Sequence, residues 1–222
     1  MKSSKKTIFM GGILMVLFVI FTILVKTVNV GAVGPENSVV GFSGINKAFF
    51  DFSGQNGFCY HLSEYIGYFS FLVVFLFALY GVYELIKRKS FKKIDKQIVA
   101  LGIFYVVVAV FFAVFEKVII NYRPVIEDIE EGLEASYPST HVLIIVCIMG
   151  STSIVLSSLF RGSGSKPVVA ACVISFVLAV IGVLARLFSG VHWLTDVFGG
   201  LLLSMSLLTM FRGVINSMEE KE

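Results

Sequence analysis

Long apolar runs separated by short polar breaks dominate the chain. Six stretches carry no charged residue: Ile8–Val25, Tyr65–Tyr83, Ile98–Phe115, Val142–Phe160, Val168–Ala185 and Val197–Phe211. The first five are 18 or 19 residues long. At about 1.5 Å of helical rise per residue, such a run nearly crosses a hydrocarbon core roughly 30 Å thick, and flanking residues complete the span. The sixth has 15 residues and reaches full length if Val191–Asp196 supplies its first turns. Strands of a membrane barrel would read as alternating segments of about ten residues, so helices are the expected way to satisfy the backbone. The pattern predicts an all-α integral membrane protein, a six-transmembrane-helix bundle in which residues 1–222 form a single domain.

Composition agrees with this class. The chain is 57% hydrophobic and 15% charged, with mean hydropathy +0.90, whereas soluble domains are about 25% charged. Met1–Lys6 is basic and an apolar run follows, as in a secretory signal. That run is longer than the usual signal core of about 7–15 residues and has no clear small-x-small cleavage site, so it is expected to stay as an anchor. Cys59, Cys147 and Cys172 lack metal-ligand spacing, and two of them fall inside helices, which points to packing.

Charge sets the expected orientation. With the N-terminus inside, thirteen of the eighteen basic residues lie on the inner side, among them Lys5, Lys6, Lys87, Arg88, Lys89, Lys92, Lys93, Lys96, Arg161, Lys166, Arg212 and Lys221. The outer side holds Lys26, Lys47, Lys117, Arg123 and Arg186. The positive-inside rule then places both termini in the cytoplasm. The net charge of +3 has a topological explanation and calls for no nucleic-acid partner.

Three outer segments follow. Asn29–Glu64 is rich in Gly and aromatics, suited to the headgroup region. Lys117–His141 holds an acidic cluster (Glu127, Asp128, Glu130, Glu131, Glu134) that reads as a solvated loop. Arg186–Asp196 joins the last two helices. So little mass lies outside the bilayer that a substrate is expected to arrive through the lipid.

Ionisable residues at helix ends stand out against this background, because a charge at the bilayer centre costs roughly 2.5–3.5 kcal/mol even on the mildest scale. Lys117, Arg123, His141, Arg186, His192 and Asp196 all fall on the outer side. Three cations and two histidines on one polar surface describe a phosphate site, with fixed positive charge for the anion and nitrogens that attack or move protons. His192 and Asp196 are four apart, so on a helix the carboxylate can accept the imidazole Nδ1–H and leave Nε2 to attack phosphorus. Pro138 and Ser139 look like a helix start whose backbone N–H groups would point at an anion. His61, outside this set, reads as a surface histidine.

These residues resemble the type-2 phosphatidic acid phosphatase superfamily, related to the vanadium haloperoxidases. Its motifs are Lys-x6-Arg-Pro, Pro-Ser-Gly-His and Ser-Arg-x5-His-x3-Asp. Arg123-Pro124 matches the first, Pro138-Ser139-Thr140-His141 the second and Arg186-x5-His192-x3-Asp196 the third. The resemblance covers about Lys117 to Gly200 and places a motif-bearing core at about 98–212, behind a first helix and outer aromatic segment at 1–64. Three departures occur: only five residues separate Lys117 from Arg123, where the motif has six, and Glu116 takes the matching position; Thr140 replaces Gly; and Ala185 replaces Ser.

The resemblance implies a membrane lipid phosphatase that forms a phosphohistidine on the outer face. His192 is then the nucleophile, His141 the acid and base, and Asp196 the partner of the imidazole. Lys117, Arg123, Pro124, Ser139, Thr140 and Arg186 would bind the phosphate, with no metal and no cofactor. Phosphatidic acid, phosphatidylglycerol phosphate and undecaprenyl diphosphate are all candidate substrates. Transfer of the phosphoryl group to another acceptor is the nearest alternative. A transporter or silent scaffold is the rival from another class, but no paired halves are visible. The small size, basic inner loops and absence of sorting signals point to a bacterial cell membrane.

Overall fold

The structure, a computed structural model, describes residues 2–130 and 132–220. Glu131 of the acidic cluster and Lys221 of the inner basic set lie outside the described residues. The helices are α1 (Lys2–Thr27), α2 (Ser43–Ser53), α3 (Gly57–Arg88), α4 (Lys96–Phe115), α5 (Thr140–Leu159), α6 (Lys166–Phe188) and α7 (Leu194–Glu219). All except α2 are long and apolar enough to span a membrane. Each charge-free stretch falls on one of these six, to within a residue.

Two boundaries differ from expectation. Helix α7 begins at Leu194, so Val191–Trp193 stays outside it, and its length is gained at the other end, up to Glu219. The cause is local: Trp193 is extended (φ −71°, ψ 156°), and its N–H donates to Asp196 Oδ2 at 2.9 Å, which caps the helix there. Helix α3 begins well before its apolar run, at Gly57, where Asn56 Oδ1 accepts from Cys59 N at 3.0 Å. Glu64 therefore sits on a helix and does not end a loop.

The bundle has a centre and a rim. In α5 and α7, 61% and 56% of the most apolar window is buried, against 11% to 22% in α1, α3, α4 and α6. Helix α7 lies between α1 and α5, while α3, α4 and α6 pack around α5. The α1–α7 contact is close: a Cβ at Gly213 would stand 2.5 Å from Ile8 Cγ1, and Ser206 Oγ donates to Gly11 O at 2.9 Å. Small residues give such approach where lipid offers no hydrophobic drive.

The outer segment is more ordered than its Gly-rich sequence implies. Gly31–Ala32 (β1) pairs antiparallel with Val39–Val40 (β2), and α2 follows. Helix α2 exposes Phe52 and Ile45 but sets Phe49 against Phe188 and Phe50 against Trp193. Asn46 anchors it to the start of α7, accepting from Thr195 N at 3.1 Å and donating to Thr195 Oγ1 at 2.9 Å. The C-ends of α1, α4 and α6 thus share one end of the bundle with the N-ends of α3, α5 and α7.

Candidate active site

That shared end is tied together by main-chain contacts. Ser139 N donates to Asp196 O at 2.9 Å, locking the start of α5 to the start of α7. Asn56 N donates to Ser189 O at 3.2 Å. Gly190 adopts φ +80°, and a Cβ there would stand 2.5 Å from Gly54 O, so the α6–α7 link packs directly on the α2–α3 link. Trp193 Nε1 donates to Tyr122 O at 2.7 Å. These contacts fix His192 in the short link between α6 and α7.

His192 is buried at 3% exposure, and neither ring nitrogen makes a hydrogen bond among the described residues. Burial holds its pKa well below the usual histidine value, and the positive charges of Arg186 and Arg123 push the same way. The ring is thus a neutral imidazole surrounded by cations, the protonation state a nucleophile needs.

The expected Asp196 contact is absent. Its Oδ2 lies 3.8 Å from His192 Nδ1, too far for a hydrogen bond. The carboxylate instead accepts from Ser136 Oγ at 2.7 Å, Trp193 N at 2.9 Å and Asn121 Nδ2 at 3.3 Å. Helix α7 starts two residues after His192, so the two side chains do not share a regular helical face. Asn121 also accepts from Gly41 N at 3.0 Å, which links the outer hairpin to Asp196.

Arg186 is 1% exposed on the last turn of α6. Its Nη1 donates to Glu64 Oε1 at 2.9 Å and to Ser63 Oγ at 3.4 Å, and the guanidinium lies 5.6 Å from the Tyr60 ring centroid. His141, on the first turn of α5, places Nε2 2.9 Å from the same Glu64 oxygen. Arg123 pairs with Glu127 and, through Nε at 3.0 Å, with Glu134. Two members of the acidic cluster are therefore partners of a site cation, which corrects their reading as a solvated loop. Pro124, next to Arg123, is buried.

Two further expectations are revised. Lys117 is exposed on the turn after α4, and among the described residues no hydrogen bond or ion pair joins it to the others. Glu116 occupies the motif position and accepts from Thr140 Oγ1 at 2.9 Å, so the hydroxyl that replaces the family's Gly is used within the protein. Ser139 caps α5 with its side chain, Oγ to Val142 N at 3.5 Å. Its own N–H is taken by Asp196 O and does not point at an anion.

Three residues escaped the sequence reading. Ser136 and Asn121 are neutral polar residues in irregular segments, where no spacing marks them. Glu64 could have been found, because it is an ionisable residue at the outer end of an apolar helix, the criterion that selected the others.

Comparisons with known proteins bear on the fold and on the motif-bearing segment. Residues 116–217 match the family model of the PAP2 superfamily. The fold is similar to the crystal structure of a transmembrane PAP2-type phosphatidylglycerolphosphate phosphatase from Bacillus subtilis, with a TM-score of 0.59 and 20% identity, over 95% of this chain and 96% of that one. No curated protein matches the chain in sequence. The fold similarity runs along nearly the whole chain, while the family match begins at Glu116 and takes in all three motifs. Through that segment, carried in a six-helix membrane bundle, the chain is similar to the PAP2 (type-2 phosphatidic acid phosphatase) superfamily.

Proposed function

We propose that this protein is a membrane lipid phosphatase that works through a phosphohistidine on His192. The observation that carries the proposal is the convergence of His192, His141, Arg123 and Arg186 at one end of a membrane bundle, with the His192 ring buried, neutral and free of hydrogen bonds to the described residues. His192 Nε2 attacks phosphorus in line and forms the N–P bond. The P–O bond to the lipid breaks, and the leaving oxygen keeps its electron pair and takes a proton from His141. Water then attacks phosphorus, gives its proton to His141, and the N–P electron pair returns to the imidazole. Arg123 and Arg186 neutralise the phosphoryl oxygens as charge moves. Asp196 acts by holding the start of α7, and a small shift would bring it within reach of Nδ1 during turnover. Lys117 serves as an outlying cation that draws the anionic headgroup.

These cations supply the charge compensation that Mg²⁺ gives in other phosphoryl transfers, so activity is expected to persist in excess EDTA. Complete loss restored by Mg²⁺ would contradict the cation clamp. The Bacillus subtilis protein acts on phosphatidylglycerol phosphate, and the shared fold supports a lipid phosphate here. The basic-residue bias supports a site on the extracytoplasmic face of a bacterial cell membrane, with both termini cytoplasmic, where a diphosphate of the cell-wall carrier lipid is released.

A phosphate-release assay on the purified protein tests the proposal with phosphatidic acid, phosphatidylglycerol phosphate and undecaprenyl diphosphate. Release from at least one is expected, and none from any would contradict it. The face is tested with single cysteines at Glu130 and Ser163, in a background with Cys59, Cys147 and Cys172 replaced. An impermeant maleimide should label position 130 on intact cells and position 163 only after permeabilisation. The reverse pattern would put the site in the cytoplasm.

A further inference from the structure

Glu64 makes the contacts that the proposed reaction assigns to phosphate. Its Oε1 accepts from Arg186 Nη1 at 2.9 Å and lies 2.9 Å from His141 Nε2. One carboxylate oxygen thus joins the guanidinium that would hold a phosphoryl oxygen and the imidazole that would serve the leaving oxygen. Arg186 cannot turn elsewhere to meet a second anion: it is 1% exposed and held by Ser63 and Tyr60, from the same two turns of α3 as Glu64. The Glu64 side chain is 19% exposed, and next to it on α3 is Gly67, whose added Cβ would lie 3.9 Å from His141 Cδ2. The carboxylate therefore has room to move aside where the arginine does not.

Resting on the phosphatase reading above, we propose that Glu64 is an internal anion that competes with phosphate for Arg186 and His141, and so keeps free phosphate from holding the site. Two anions cannot share these donors without repulsion, so any phosphate must displace the carboxylate. A lipid phosphate meets that cost with the binding energy of its apolar chain, which is remote from the reacting atoms. Inorganic phosphate has no chain. It loses the competition, leaves readily as product and inhibits weakly. Glu64 sets how weakly the site holds phosphate in this scheme, and it takes no part in bond making.

The test is direct binding of radiolabelled inorganic phosphate to the full-length protein in detergent, alongside lipid hydrolysis. Wild type is compared with Glu64→Gln and Glu64→Asp. Glu64→Gln removes the charge and should bind inorganic phosphate about tenfold tighter or more. Glu64→Asp keeps the charge but retracts it, and should tighten binding by a smaller factor. A carboxylate that merely props Arg186 in place predicts the reverse, weaker binding in both variants. Unchanged or weaker phosphate binding in Glu64→Gln overturns the proposal. If that variant does not fold, unchanged or weaker binding in Glu64→Asp overturns it equally. Wild type that hydrolyses a lipid phosphate while Glu64→Gln binds phosphate no better counts against Glu64 alone. Tighter binding in Glu64→Gln with no lipid hydrolysed by wild type counts against the phosphatase reading alone.

Discussion

The two histidines of the site sit in opposite surroundings. His192 lies in the link between α6 and α7, buried, without a hydrogen bond to any described residue, and pressed by the positive charges of Arg186 and Arg123. His141 lies on the first turn of α5, part-exposed, with Nε2 against the carboxylate of Glu64. Burial and the neighbouring arginines keep the His192 imidazole neutral, while His141 stands against a carboxylate. Their placement follows from the fold. The central helices α5 and α7 fix the start of each histidine segment, and the rim helix α3 supplies the anion that makes them differ.

The comparison breaks most completely at the nucleophile. His192→Ala should abolish phosphate release while the protein still inserts and elutes as a folded species; retention of more than a few per cent of activity would contradict the assignment. Asp196→Asn comes next. Its carboxylate accepts from Ser136, Trp193 and Asn121, so an amide would set a donor against donors at a buried point. Turnover should fall on the order of a hundredfold or more, as when the orienting carboxylate of a hydrolytic triad is made an amide. Thermal unfolding should show a loss of about 1–3 kcal/mol, the cost of a buried polar group left without its partner. Turnover within a few fold of wild type would mean that Asp196 is only a helix cap.

The pH dependence is a smaller effect with a definite sign. A free histidine titrates near 6.5, and His192 in the folded protein titrates well below that. His192 therefore stays neutral as pH falls through 6.5, and on the proposed mechanism the acid limb of kcat/KM that it controls should lie below that value. The same difference acts on stability: below about 6.5 the unfolded chain gains a proton that the folded chain refuses. Its contribution is thus complete above 6.5 and is lost as pH falls. A kcat/KM profile whose acid limb sits at or above 6.5 would contradict a ring kept neutral by its neighbours.

Much of this was legible in the sequence, for physical reasons that also mark where reading stopped. Charge-free runs locate all six spanning helices, because lipid forbids unpaired backbone and tolerates few charges. Arg123, His141, Arg186, His192 and Asp196 stand out because ionisable residues are rare in such a chain. The α2 helix and the β1–β2 hairpin were hidden, since the segment 29–56 is Gly-rich and its elements are short, so composition constrains its structure weakly. The His192–Asp196 contact was overestimated because four-residue spacing implies one helical face only if both residues are helical, and α7 starts between them. Lys117 stands out as a cation at a helix end near the motif, but a turn after α4 leaves it exposed, with Glu116 facing Thr140. Glu64 reads in the sequence as the end of a loop, whereas Asn56 begins a helix before it.

Trapping the covalent intermediate tests the central claim most directly. Purified protein is mixed with a lipid bearing radiolabelled terminal phosphate, quenched in alkali within a turnover, and digested for mass spectrometry. Alkali-stable, acid-labile phosphate on the peptide containing His192, absent from His192→Ala, is the expected result. Steady hydrolysis with label on another residue, or with no protein-bound label on that timescale, would contradict nucleophilic attack by His192.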